Sequence, residues 1–457
     1  MIPRRTLLRH LAGAASAPFL PGLVPLRSAA AAGGPPLRLW TTETEPQRLR
    51  VVEYIAAAYG AWADRPAPVI LSLPESDLMG AMAGARRSAT LPDLVNTGGD
   101  LLLALSEAGV LDEDAAGAFV SEYDDLFPGA VAALRVAPGH QAAIPFHGWP
   151  QVLWYRQDWL EEAGLTAPTT ADTLLAAVQA LHREETGRMG IVCGTDSGLY
   201  TQQVFAQIVR SFGGALFSAD GHPRLADPVV REALAYYTVL ASHGPAGAHH
   251  WRARDWYLQG RAAAMFYSTF IMDDLAIAGV AADSLKGGRF AGLDGAAFDI
   301  DLVSRTGFTT RLGPPAAAFS TINGLAIVRH RDPNGRAAAL DFLRFLFRPD
   351  SMVVWLHMAP GGMLPVRSGL AGSEAFLRDP LGVFRRFGRD AVRTLSDGLA
   401  TAGGFSHWNG TNVTRAATIH ADGVIGRMVA AVIAGEATPT EASRAAQQEA
   451  EILAGGP

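Results

Sequence analysis

Residues 142–165 read AAIPFHGWPQVLWYRQDWLEEAGL. Two runs, Ile144–Phe146 and Val152–Tyr155, are apolar enough for buried strands, and Pro145, Gly148 and Pro150 break them. His147 and Trp149 fall in the break, a polar loop that carries an aromatic ring. The pattern predicts a place where the chain crosses from one lobe to another.

Upstream, LRLWTT (37–42) predicts a strand, and a helix follows from Pro46 with apolar positions Leu49, Val52, Ala56, Tyr59 and Trp62. PAPVILSLP and LPDLVNTG predict a second and a third strand, the latter leading into the helix DLLLALSEAG. This alternation implies a mainly parallel sheet covered on both faces. Downstream, MGIVCG predicts a strand and Leu199–Phe212 a helix. RDWYLQGRAAAMFYSTF passes from a short helix through Gly260 into a strand over Ala263–Tyr267. From Ala281 to Pro315 the pattern weakens into connecting chain. NGLAIVRH and PNGRAAALDFLRFLFRP predict a strand and an amphipathic helix, and Thr411–Ala434 and Pro439–Leu453 predict closing helices.

The chain opens with Arg4 and Arg5 ahead of an apolar run from Leu11 to Leu26, which is too short and too rich in Pro, Gly and Ala to span a bilayer. The paired arginines resemble a twin-arginine signal, whose pathway exports folded proteins; an ordinary secretory leader is the other reading. Either way residues 1–32 are removed. The leader holds four arginines and no acids, so a formal charge of −6 becomes −10 on the rest. That surface repels nucleic acid and anionic lipid, and excludes both as partners. Cys193 is the only cysteine, so there is no internal disulfide and no lipidated cysteine after the leader. The remaining length exceeds what one core organises, which favours two domains.

No Gly-x-Ser-x-Gly elbow, His-Glu-x-x-His helix, phosphate loop or dinucleotide turn occurs. His243, His249 and His250 lie close together in SHGPAGAHHW but lack further ligands at suitable spacing, and predict a solvated loop rather than a metal site. The adjacent acids Asp124–Asp125 and Asp273–Asp274 diverge and cannot flank one glycosidic bond. No enzyme, cofactor or metal is expected.

The order of elements and four phrases resemble the family-1 extracellular solute-binding proteins of ABC importers, the sugar-binding group that includes maltose-binding protein. The phrases are the 142–165 stretch, LQGRAAAMFYSTF, NGLAIVRHRDPNGRAAALDFLRFLFRPDS and HWNGTNVTRAATIHADGVIGRMVAAVIAGEATPTEA. The resemblance implies an α/β fold of the two-lobed periplasmic-binding type, class II, with discontinuous lobes joined by hinge strands. Its lobes would be 33–146 with 306–348, and 147–305 with 349–457. It implies a monomer in the periplasm that captures a carbohydrate and delivers it to a membrane permease. A polyamine, an organic phosphate or, in another class, a glycan-active enzyme are the alternatives.

A sugar offers apolar C–H faces to aromatic rings and hydroxyl edges to polar side chains. Trp40, Thr42 and Glu43 follow the first strand, and Asn96 and Asp100 the third, where open sheets hold ligands. The resemblance places His147, Trp149, Ser197, Tyr200, Phe270, Trp408 and Asn409 at ligand-contact positions, with Phe270 standing where the family often has tryptophan. Gly361 and Gly362 are candidates to present backbone amides. Trp154, Trp159, Trp256 and Trp355 lie in apolar or amphipathic runs and are read as structural. Arg48, Arg86 and Arg305 are the arginines that an anionic solute would need.

Overall fold

The structure, a computed structural model, describes residues 34–218, 220–278, 299, 301–313, 318–329, 333–401, 403–405, 407–408, 411–412 and 414–455, with only the backbone of 407, 408, 411, 412, 414 and 415. The leader, Asn409, the side chain of Trp408 and most of 281–315 lie outside the described residues.

β1 (Arg38–Thr41), the helix Pro46–Ala63, β2 (Val69–Ser72), the helix Glu75–Ser88, β3 (Leu94–Gly98) and the helix Gly99–Glu107 follow one another as the alternation predicts. β1 pairs in parallel with both neighbours, Trp40 lying opposite Leu71 in β2 and Val95 in β3. The helix Glu75–Ser88 carries Glu75 and Asp77 in its first turn and Arg86 and Arg87 in its last, the charge order that complements the helix dipole. Trp62 departs from the predicted core face: the Pro46–Ala63 helix buries Val52, Ile55, Ala56 and Tyr59, and Trp62 is exposed.

A hairpin of β4 (Arg135–Ala137) and β5 (His140–Gln141) leads into β6, Ile144–Arg156, one continuous strand of 13 residues. The expected break at Pro145, Gly148 and Pro150 does not occur. Proline removes only the N–H from a ladder; the carbonyl of Pro150 still accepts from the Thr269 N–H at 3.1 Å, and a register shift between Pro145 and His147 absorbs the other site. The front of β6 pairs antiparallel with β9 (Phe319–Ile327), and its rear with β7 (Ala264–Ser268) and β8 (Thr306–Thr309). β10 (Leu364–Pro365) pairs with β6 beside His147. The main path of this eight-stranded sheet runs β10-β6-β9-β3-β1-β2. The sheet is thus mixed rather than mainly parallel, because β6 and β9 enter it as antiparallel strands.

Two further expectations differ. Residues 189–194, MGIVCG, make isolated parallel bridges to Ala262 and Met265 instead of a full strand. Glycine there serves close approach: a Cβ on Gly190 would stand 2.4 Å from the Val178 carbonyl oxygen, and one on Gly194 would stand 2.4 Å from Thr201 Oγ1. The helix expected over 411–434 is divided. Thr411–Asn412 is β12, paired with β11 (His407–Trp408), and Gly423, at φ +81°, separates the helices Thr414–Asp422 and Val424–Ile433. The core includes Trp154 and Trp355, both fully buried, with Trp159 nearly so. Cys193 is buried, and burial pushes its thiol up to about 12, so it is not a nucleophile.

Candidate functional site

The ends of β1, β2 and β3 bring acids to one rim. Glu43 is fixed three ways: its N–H donates to Thr41 Oγ1 at 3.2 Å, its carbonyl accepts from Ser72 Oγ at 2.7 Å, and its carboxylate pairs with Arg48 at 3.4 Å. Glu75 opens the next helix, and a Cβ on Gly98 would stand 3.8 Å from Glu75 Oε1 and 3.9 Å from Asn323 Oδ1. Desolvation raises the Glu75 carboxyl above the usual range, with Glu43 and Asp100 adding to the rise. Asp100 follows β3 and borders a small cavity with Ser320 and Gly404.

A second group of residues near these acids is aromatic. Trp149, on β6, lies edge-on to Phe270 with ring centres 6.4 Å apart and tilted on Phe319 at 6.1 Å. Phe270, two residues beyond β7, caps the helix Ile271–Ala276 and packs against Gly362, where a Cβ would be only 2.1 Å from its ring; Gly361 takes φ +93° beside the Thr269 carbonyl. The two glycines therefore make room for the Thr269–Phe270 segment. Arg48, paired with Glu43, places its guanidinium carbon 5.7 Å from the Phe270 ring centre, a cation–π contact that links the acidic and the aromatic residues.

Trp149 also borders a pocket of about 490 Å³ with Gln151, Tyr200, Gln203, Trp251 and Tyr267 among its walls, within the range of small-molecule sites. The Tyr200 hydroxyl donates to the Phe266 carbonyl at 2.5 Å, so its proton is already engaged. Gln151 Nε2 donates to Gln207 Oε1 at 2.8 Å.

His147 is 1% exposed, and neither ring nitrogen has a hydrogen-bond partner. Burial, with Arg48 nearby, lowers its pKa to about 3, so the imidazole is neutral. Asp273, three residues after Phe270, moves the other way: burial, then Asp274, raises it to about 7. Between pH 4 and 7 the unfolded chain loses this proton while the folded chain keeps it, so charging Asp273 costs stability as pH rises through that window. Asp273→Asn should stabilise the protein more at pH 8 than at pH 5, read by urea unfolding; an equal effect at both would deny the shift.

The other expected contact residues have the following surroundings. Asn96 donates to the Gly324 carbonyl at 3.1 Å and accepts from Thr41 at 3.0 Å, which ties β3 to β9 and β1. Thr42 bonds Thr97 at 3.1 Å. Trp40 is partly buried against the core. Ser197 is exposed, with its carbonyl against Gly426, where a Cβ would be 2.1 Å away. The backbone of Trp408 belongs to the β11–β12 hairpin. Arg86 bonds the Ala108 carbonyl, and Arg305 pairs with Asp299; Arg48 alone of the three meets the residues gathered around Phe270.

Residues 53–353 match the sequence model of the bacterial extracellular solute-binding proteins. The chain belongs to that family. A putative ABC transporter periplasmic-binding protein, YcjN of Escherichia coli K12, is 24% identical over 80% of each chain. An ABC transporter solute-binding protein from Agrobacterium radiobacter K84, solved in complex with ribitol, shares the fold at TM-score 0.68 and 22% identity, over 92% of this chain and 99% of its own. The cyclic α-maltosyl-1,6-maltose-binding protein of Arthrobacter globiformis does so at TM-score 0.68 and 20% identity, again over 92% and 99%.

Several residues around the candidate site of this solute-binding protein escaped the sequence. Glu75 and Asn323 look like ordinary helix-start and strand residues. SHGPAGAHHW is a loop with Ser242 and residues 246–248 exposed, as expected, but its His249 is buried and its Nε2 donates towards the carbonyls of Pro245 and Ala246 at 3.1 and 3.0 Å, while His250 and Trp251 border the pocket. A Trp directly after two histidines was the available signal. Among the described residues no group of three or more metal-ligating side chains occurs.

Proposed function

We propose that this chain captures a carbohydrate between its two lobes and delivers it to the membrane permease of an ABC importer. The observation that carries the proposal is the meeting, beside a pocket of about 490 Å³, of Trp149 and Phe270 with the Arg48–Glu43 pair. Rings to cover C–H faces and fixed charged groups to bind hydroxyl edges are what a pyranose needs. Two related structures, solved with ribitol and named for a cyclic maltosyl-maltose, point to hydroxylated solutes.

The lobes of the proposal are 33–146 with 306–348 and 147–305 with 349–457, and Arg4 and Arg5 direct export of the folded monomer to the periplasm. The solute is bound and released without a change of bonds. Because contacts come from both lobes, occupancy favours the closed arrangement.

A thermal-shift screen of the mature chain against mono- and oligosaccharides, with a polyamine and a glycerol phosphate as controls, tests this reading. A saccharide at a hundred times its Kd adds about 2.7 kcal/mol of stability and raises the melting temperature; a shift with the controls alone would refute the carbohydrate assignment. Trp408, at the family's position for a stacking ring, gives a second test. Trp408→Ala should weaken saccharide binding roughly tenfold or more without unfolding the protein, and unchanged affinity by titration calorimetry would remove Trp408 from the site.

A further inference from the structure

Several acids around Phe270 and the β-strand ends have a cation of their own. Glu43 pairs with Arg48 at 3.4 Å, Asp274 with Arg254 at 2.6 Å and Asp255 with Arg252 at 3.1 Å. Glu75 and Asp273 differ. Neither forms an ion pair among the described residues, and Asp273 accepts the Asp274 N–H at 2.8 Å. Glu75 is exposed and Asp273 half-buried, yet desolvation lifts both carboxyls, Glu75 above the usual range and Asp273 to about 7. Solvent reaches these groups while protein surrounds them, which is the condition of a concave wall. For Glu75 the rise runs against its own helix, whose N-terminus favours a charged carboxylate.

The same surroundings already seat one cation. Arg48 holds its guanidinium carbon 5.7 Å from the Phe270 ring centre while it pairs with Glu43, so a ring and a carboxylate share a positive group. His147 lies opposite Asn323 across the β6–β9 ladder and therefore faces the same side of the sheet. On that side Asn323 Oδ1 and Glu75 Oε1 meet at Gly98, 3.9 and 3.8 Å from where a Cβ would stand. The His147 imidazole is 1% exposed with neither nitrogen bonded. A neutral ring offers one acceptor nitrogen, and a buried polar group without a partner is rare enough to require a reason.

What these residues lack is a positive charge and a polar hydrogen. A hydroxyl donates to a carboxylate and leaves its charge in place; a protonated amine donates and neutralises, through a shorter and stronger hydrogen bond. We propose that the solute is an aminated sugar or polyol, and that Glu75 and Asp273 receive its protonated amine. This inference rests on the carbohydrate reading of the cleft.

Calorimetric titration of the mature chain at pH 7 tests it with two matched pairs, glucosamine against glucose and 1-amino-1-deoxysorbitol against sorbitol. N-acetylglucosamine keeps the nitrogen without its charge. Wild type should bind the amine at least about tenfold more tightly than its neutral partner, and N-acetylglucosamine no more tightly than glucose. Glu75→Gln and Asp273→Asn should each cut the amine preference to under about threefold, with cooperative melting retained. Asp77→Asn removes a charge from the same helical turn as Glu75 and should leave the preference as in wild type, which separates a seat for the amine from a general negative field. Neutral partners bound as tightly as the amines, an undiminished preference in Glu75→Gln or Asp273→Asn, or an equal loss in Asp77→Asn would overturn the inference while leaving the carbohydrate reading in place. Binding of none of the five compounds would also overturn it, and the saccharide thermal-shift screen then decides the carbohydrate reading on its own.

Discussion

Trp154→Ala should cost about 3–5 kcal/mol of stability, the range for deleting a fully buried tryptophan. The ring sits in the rear half of β6 with no solvent exposure. It packs against Phe308 and Phe387 at 5.7 and 6.1 Å between ring centres. Its indole N–H donates to the Tyr267 carbonyl at 3.0 Å, so truncation leaves a cavity, removes that hydrogen bond and loosens the strand that carries a pocket wall. Urea unfolding of the variant should show the lower midpoint, and a change within about 0.5 kcal/mol, the range of an ordinary surface substitution, would contradict the packing described.

Gly362→Ala should damage binding more than its size suggests. The added methyl would stand 2.1 Å from two Phe270 ring carbons, closer than any real contact, so the ring has to leave its seat beside Trp149 and Arg48. Saccharide affinity should fall by roughly tenfold or more. The double variant Gly362→Ala with Phe270→Ala relieves the clash without restoring the ring, so the melting temperature should recover while affinity does not, a coupling expected of residues in contact. Recovery of affinity in the double variant would show that Phe270 does not touch the solute.

The sequence made the individual elements legible wherever one force dominated. Ala264–Ser268 and Leu94–Gly98 are apolar runs bounded by polar or glycine residues, and both are strands. Pro333–Leu346 shows the helical spacing its buried Phe342, Phe345 and Leu346 require. Legibility failed where opposing effects nearly balanced. Pro145 and Pro150 argue against a central strand, yet they remove donors only, and β6 passes through both. Gly190 and Gly194 sit in a run as apolar as a strand, but backbone proximity to Val178 and Thr201 decides their conformation.

The site divides in the same way. Trp149 and Phe270 are conspicuous in the chain as rings among Gly, Pro and Ser or Thr, and the fold brings them together. Asn96 has the chemistry of a sugar contact, but both ends of its amide are committed to neighbouring strands, an outcome that depends on tertiary register. Trp251 was hidden because histidines and glycines around it mimic an exposed loop; only the fold shows Arg254 between it and Tyr267. Arg48 lies five residues from Glu43 at the start of a helix, and nothing local indicates that it reaches a ring more than two hundred residues away.

Small-angle scattering of the mature chain, with and without the saccharide that gives the largest thermal shift, tests the central claim most directly. Solute held by both lobes predicts a smaller radius of gyration when bound, together with recovery of chemically unaltered saccharide after the protein is denatured. Identical scattering profiles at saturating saccharide, or a recovered solute whose bonds have changed, would contradict it.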